Sequence, residues 1–218
     1  MIVVIGLPAY ADSPDGERCA GGLAVEVAAA ARRRGGEVEL VGKVGNDGAG
    51  DAVVVALGRL GIGHAALLRD PVRPTPVLAA PAGDDEAAEV EAAAPEARLL
   101  PEDPAARPSL EAADVELALR FLPPARVVVI ADALGESTTA AGVEGAAFAA
   151  AQLIVLVPAE AAPPAVPADA TVLEAPSADD GSFGRLVGIF AGALDAGVDL
   201  GSAFGEAVNT AGWEPADE

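Results

Sequence analysis

Short runs of β-branched residues alternate in this chain with alanine-rich segments of helical length, and this alternation restricts the folds open to it. The strand-like runs are "MIVVIG", "EVELVGKVG", "ARVVVIAD", "QLIVLVPA" and "TVLEAP". Helical segments such as "GLAVEVAAAARRRGG", "DGAGDAVVVALGRLG" and "TTAAGVEGAAFAAA" separate most of them. Buried strands that alternate with helices predict an α/β fold, with a largely parallel sheet covered by helices on both faces.

The charge balance excludes whole classes of partner. The 218 residues carry a formal net charge of -21, so nucleic acid and anionic membranes would be repelled over most of the surface. A single cysteine, Cys19, rules out an intrachain disulfide, and no apolar run reaches the roughly 18 residues of a membrane span. We therefore expect one cytoplasmic domain spanning residues 1–218, without a signal peptide.

Glycine recurs at every fourth position of "GSFGRLVGIFAGALDAG", at Gly184, Gly188 and Gly192. The segment otherwise predicts an apolar helix from Gly181 to Ala196, in which each glycine costs roughly 0.5–1 kcal/mol relative to alanine. A neighbouring backbone or a ligand must come close to that face to offset the cost. The apolar run "LVGIFAGAL" is too short for a membrane, so the helix is expected to be buried.

The sequence does not match several familiar catalytic motifs. "GKVGNDGAGD" lacks the P-loop pattern, because Glu37 stands where a glycine is needed and Val44 where Ser or Thr is needed. Its simpler interpretation is a turn and helix start with Asp47 near the N-cap. His64 is the only histidine, no serine lies in a nucleophile-elbow pattern, and one Cys and one His make no recognisable metal site.

Taken together, several segments resemble the ribokinase-like, or PfkB, family of carbohydrate and nucleoside kinases. They are "MIVVIG", the loop that carries Asp12, the stretch from Gly21 to Ile62, "RPTP", "FLPPARVVVIAD" and "GSFGRLVGIFAGALDAGVDLGSAFGEAVNTAG". The resemblance implies a three-layer α/β/α sandwich with a mostly parallel sheet. It also implies a small β lid, expected around residues 8–15 and 65–80, with substrate between lid and sheet and homodimers formed through the lid.

The resemblance also implies site residues. Asp12 matches the ligand of a substrate hydroxyl, although it falls one residue late. Gly21 and Gly22 match paired glycines of the substrate site, while Glu26 stands where the family has Asn. Gly181, Ser182 and Gly184 occupy the phosphate-binding helix start, and Asn209 resembles a position that lines the adenine site.

The chain departs from the family where chemistry is carried out. Family members have Gly-Ala-Gly-Asp at this helix start, where backbone N–H groups bind the transferred phosphoryl group and the Asp acts as base. Here the same positions read Gly181-Ser182-Phe183-Gly184. The base is missing, and Phe183 is expected to hinder the approach of phosphate. The family's acidic Asn-x-x-Glu segment, which supports nucleotide and magnesium, has no counterpart.

These departures predict a catalytically impaired kinase-like protein that binds a small polyol, sugar or nucleoside, with no catalytic residue and no metal ligand of its own. The alternative is an active kinase with a rearranged site, using ATP and Mg²⁺, in which Asp179 or Asp180 acts as base. A third possibility is a scaffold without any ligand.

Overall fold

The computed structural model describes residues 1–12, 18–78, 107–159, 161–176 and 181–212. Within these residues the chain forms nine strands and six helices. The strands are β1 (Ile2–Ile5), β2 (Ala9–Asp12), β3 (Arg18–Gly21), β4 (Val38–Gly45), β5 (Leu67–Asp70), β6 (Val77–Leu78), β7 (Val127–Ile130), β8 (Gln152–Pro158) and β9 (Thr171–Ala175). The helices are α1 (Leu23–Arg33), α2 (Gly48–Leu60), α3 (Ala112–Phe121), α4 (Glu136–Phe148), α5 (Ser182–Asp195) and α6 (Leu200–Ala211).

Six strands form one parallel sheet in the order β5-β4-β1-β7-β8-β9. The two central strands, β1 and β7, are buried along their whole length. Their continuous valine and isoleucine content suits strands that are covered on both faces. All five strand-like runs of the sequence lie in this sheet, which confirms the predicted α/β class.

Helices cover both faces of the sheet. One face packs against buried residues of α1, α2, α5 and α6, and the other packs against α3 and α4. The three layers are therefore helix, sheet and helix, as the resemblance implied. None of the described helices is long and apolar enough to cross a membrane.

A second, three-stranded sheet has the order β3-β2-β6. It lies beside α1 and α2, and it contains parts of both ranges expected to form the lid. β5 differs from that expectation, because it pairs with β4 in the main sheet although it lies within residues 65–80.

Asp47 and Thr75 join this small sheet to the main one. Asp47 accepts a hydrogen bond from Gly50 N at the start of α2, as the sequence predicts for an N-cap, and others from the backbone N–H and the hydroxyl of Thr75. The Thr75 hydroxyl in turn accepts from Gly45 N at the end of β4. Thr75 precedes β6, so this network fixes the point at which the chain passes from the main sheet to β6 in the small sheet.

The glycines of α5 face α1, which accounts for their spacing. A Cβ on Gly188 would collide with the carbonyl oxygen of Val27 and would lie 2.9 Å from Ala31 N. On Gly192 it would lie 3.0 Å from Arg34 Cγ. Because the two backbones meet, the cost of each glycine is offset by close helix packing rather than by a ligand.

We predict that Gly188→Ala destabilises the protein by about 1–3 kcal/mol, since the added methyl group must push two backbones apart. Gly205→Ala is the matched control. Gly205 lies inside α6 with open space around it, so the same change there should stabilise the helix by about 0.5–1 kcal/mol. Urea unfolding of the two variants measures both effects, and equal effects at both positions would contradict this account of the packing.

Candidate functional site

The candidate site lies at the carboxyl edge of the main sheet, between β1 and β7. The chain proceeds from β1 to β4 on one side and from β7 to β8 on the other. Such a reversal of strand order opens a crevice outside the carboxyl ends of the strands, where open α/β sheets bind ligands. Gly6 and Leu7 follow β1 at this point, and Asp132 follows β7.

Gly21 and Gly22 lie beside this crevice, where β3 ends and α1 begins. Gly21 is the last residue of β3, and its Cβ would lie 3.0 Å from Ala11 Cβ. Gly22 is the N-cap of α1 with φ +93°, a conformation that favours glycine. A Cβ there would lie 3.5 Å from the carbonyl oxygen of Leu7. Strand pairing with Ala9 extends β3 to Gly21, so α1 begins two residues later.

Glu26, in the first turn of α1, lies against the start of α5. A Cβ on Gly181 would be 3.7 Å from Glu26 Cδ, and one on Gly184 would be 2.9 Å from Glu26 Oε2. Gly181 is the N-cap of α5 with φ +91°, and Ser182 is the first residue of the helix. The structure therefore brings together four predicted residues: Gly22, Glu26, Gly181 and Gly184.

A side chain at position 184 has no room in this arrangement. Its Cβ would lie 2.7 Å from Glu26 Cβ, closer than Cβ atoms approach in real structures. The carboxylate of Glu26 occupies the space beside it. The missing base at this position therefore coincides with close helix packing.

The expectation that Phe183 hinders the approach of phosphate to the start of α5 is wrong. Its side chain is only 4% exposed and lies in the core between the helices and the sheet. The first turn of α5 directs this residue inward, so the ring does not cover the helix start. What stands at that start is the carboxylate of Glu26.

The remaining predicted residues are less closely tied to this point. Asp12 is the last residue of β2, where its backbone pairs with Arg18. Asn209 is exposed near the end of α6. Asp179 and Asp180, the bases of the alternative kinase, lie outside the described residues.

Asp132 was not among the residues predicted from the sequence. Its Oδ2 accepts a hydrogen bond of 2.6 Å from Leu7 N, which ties the ends of β1 and β7 together. Burial raises the pKa of Asp132 to about 6, while the Leu7 N–H and the charge of Arg107 act in the opposite direction. The signal was available, because an acidic residue directly after a buried parallel strand falls at the ligand-binding edge of the sheet.

Glu26 and Asp132 supply carboxyl groups to this part of the structure. Carboxylates such as those of Glu26 and Asp132 accept hydrogen bonds from hydroxyl groups. A carboxylate at the start of α5 opposes a second anion there, although helix starts otherwise favour anions. Among the described residues no group of three or more His, Cys, Asp or Glu side chains could hold a metal ion.

We predict that Asp132→Asn removes a pH dependence of stability. The folded protein holds a proton on Asp132 up to about pH 6, whereas the unfolded chain releases it near the ordinary value of 3.8. Asp132 therefore contributes to the free energy of unfolding at low pH, and this contribution is lost as the pH rises through 6. Relative to wild type, the variant should gain up to about 3 kcal/mol between pH 4 and pH 8. Urea unfolding at both pH values measures this gain, and a constant difference would contradict the assignment.

Comparison with known proteins identifies the fold through structure alone. No protein-family model matches the chain, and no curated protein matches it by sequence.

Solved structures of sugar and nucleoside kinases do match. Fructokinase from Vibrio cholerae O395 in its apo form has a TM-score of 0.64 at 16% identity, over 96% of this chain and 95% of that chain. Its fructose, ADP and calcium ion bound form has a TM-score of 0.53 at 15% identity, over 96% and 67%. Aminoimidazole riboside kinase from Salmonella enterica has a TM-score of 0.50 at 19% identity, over 72% and 49%.

The match to the riboside kinase thus spans about half the length of that enzyme. All three structures share the parallel α/β architecture found here, at identities too low to carry function across. The chain has the ribokinase-like, or PfkB, fold.

Proposed function

We propose that this protein binds a small hydroxylated ligand, a sugar or a nucleoside, and does not transfer phosphate to it. The ligand would lie between the small sheet and the carboxyl edge of the main sheet. Such a protein would act as a sensor or regulator. We also propose that two copies pair through the small sheet to form a homodimer.

One observation carries the loss of phosphoryl transfer: the carboxylate of Glu26 lies against the start of α5. Transfer would need that start to bind an anion through its backbone N–H groups. A negative charge beside Gly181 and Gly184 raises the free energy of a phosphate at the same place. Position 184 also has no room for the side chain of a base. Under this proposal the chain therefore lacks both the anion site and the base that the family's chemistry requires.

Two features of the crevice, at Gly22 and Asp132, support ligand binding. Gly22 keeps the backbone close to the end of β1, and Asp132 places a carboxyl group at the point where the strand order reverses. Sugar and nucleoside kinases with the same fold give the class of ligand. By their place in the sequence, Asp12 and Glu26 correspond to substrate positions of the family, although Asp12 falls one residue late and Glu26 replaces an Asn.

Isothermal titration with ATP-Mg²⁺, and then with a panel of sugars and nucleosides, tests the proposal. We expect no nucleotide binding at micromolar strength and saturable heat from one or more hydroxylated compounds. Micromolar binding of ATP-Mg²⁺ to the wild type would overturn it, and silence toward every sugar and nucleoside would leave only a scaffold.

Glu26→Gln makes the test specific. Removal of the charge should increase the affinity of the helix start for inorganic phosphate by about tenfold, because charge-assisted contacts are worth roughly 1–3 kcal/mol. Glu37→Gln is the matched control. Glu37 is exposed before β4, at the opposite edge of the sheet, so this change should leave phosphate affinity unaltered. Equal responses of the two variants would remove Glu26 from the explanation.

A second candidate function is that of an active kinase. The contact between Glu26 and position 184 also favours this function. Glu26 Oε2 lies 2.9 Å from a Cβ at position 184, so its carboxylate fills the space of an aspartate side chain at that position. Glu26 would then act as the base. An assay of ADP release with the sugar panel separates the two functions, because only this candidate predicts turnover by the wild type and its loss in Glu26→Gln.

A further inference from the structure

Two phenylalanines lie exposed at the edge of the molecule opposite the crevice. Phe121 is the last residue of α3 and is 78% exposed, and Phe148 is the last residue of α4 and is 96% exposed. The two helices lead into β7 and β8, which are parallel neighbours. Both phenylalanines therefore lie near the amino edge of the sheet. Large exposed aromatic side chains at the same edge of a protein indicate an interaction surface.

A groove of about 910 Å³ runs between the two helices beside these residues. Its apolar lining includes Leu119, Leu122 and Pro123 from the α3 side, and Gly145 and Phe148 from α4. Leu117, on the outer surface of α3, is 51% exposed. We call Leu117, Phe121, Phe148 and the lining residues the α3–α4 groove.

The charges around this groove are mostly negative. Glu116 and Glu144 line it together with one cation, Arg120. Within the part of the chain that the structure describes, none of the three forms a salt bridge. Two helix C-termini add partial negative charge at the same edge, and the last turn of α4 contains no basic residue. The groove therefore favours a positively charged partner.

We infer that the α3–α4 groove binds a basic amphipathic helix of another protein. Apolar side chains three or four residues apart on one face of such a helix would enter the groove. Phe148 and Phe121 would pack against them as aromatic anchors. Lysines and arginines on the flanks would face Glu116, Glu144 and the net charge of -21.

A second copy of this chain suits the groove less well. Two copies meeting through this groove would bring Glu116 and Glu144 of each close to the same residues of the other, so local repulsion opposes the contact. Leu117 and Phe121 lie outside the lining of the groove, so one small molecule in the groove would leave both exposed. A helix laid between α3 and α4 reaches both parts.

Fluorescence anisotropy at 150 mM NaCl tests this inference with a labelled 18-residue amphipathic leucine–lysine helix as the probe. The control peptide has the same composition in an order that gives no apolar face. We expect the wild type to bind the amphipathic peptide at least tenfold more tightly than the control peptide. Equal binding would reduce the effect to general charge attraction and overturn the inference.

Phe148→Ser and Phe121→Ser should each weaken binding of the amphipathic peptide by about tenfold. Both side chains are largely exposed, so the fold should survive, which circular dichroism checks. Val72→Ser is the control, since Val72 is 86% exposed in the loop after β5, at the carboxyl edge. Glu116→Gln with Glu144→Gln should weaken binding and reduce its salt dependence. Unchanged affinity in the phenylalanine variants, or wild-type dimers that Phe148→Ser dissociates, would overturn the inference.

Discussion

Contact between the backbones of α1 and α5 is the constraint on which the candidate site depends. Glycines at positions 184, 188 and 192 let α5 approach α1 until Gly188 meets the carbonyl of Val27. This approach brings the first turn of α1 to the start of α5, so Glu26 lies beside Gly181. Larger residues in the glycine row would separate the helices and leave the start of α5 open to solvent.

The same contact changes the electrostatics of the crevice. A helix start ordinarily attracts anions, but here a carboxylate from the same chain lies against it. Asp132 lies on the other side of the switch point, with its pKa raised to about 6 by burial. Both carboxyl groups can accept hydrogen bonds from hydroxyl groups, as the proposed function requires.

The sequence predicted the architecture because its signals are local. Continuous β-branched runs predicted strands of the main sheet, and the apolar segment from Gly181 to Ala196 predicted α5 to within one residue at each end. It could not place β3, since that strand exists only through pairing with β2. It also missed Asp132 and misplaced the Phe183 ring, because both depend on which way a side chain points once the layers have packed.

Position 184 shows how packing and chemistry compete for one residue. A base at this position needs a side chain, and a side chain needs space between α1 and α5. The space is absent, because a Cβ would lie 2.7 Å from Glu26 Cβ. An aspartate could return only if the helices moved apart, which would remove the contacts of Gly188 and Gly192 as well. The packing of the core therefore depends on the close contact between α1 and α5, and a side chain at position 184 would disturb it.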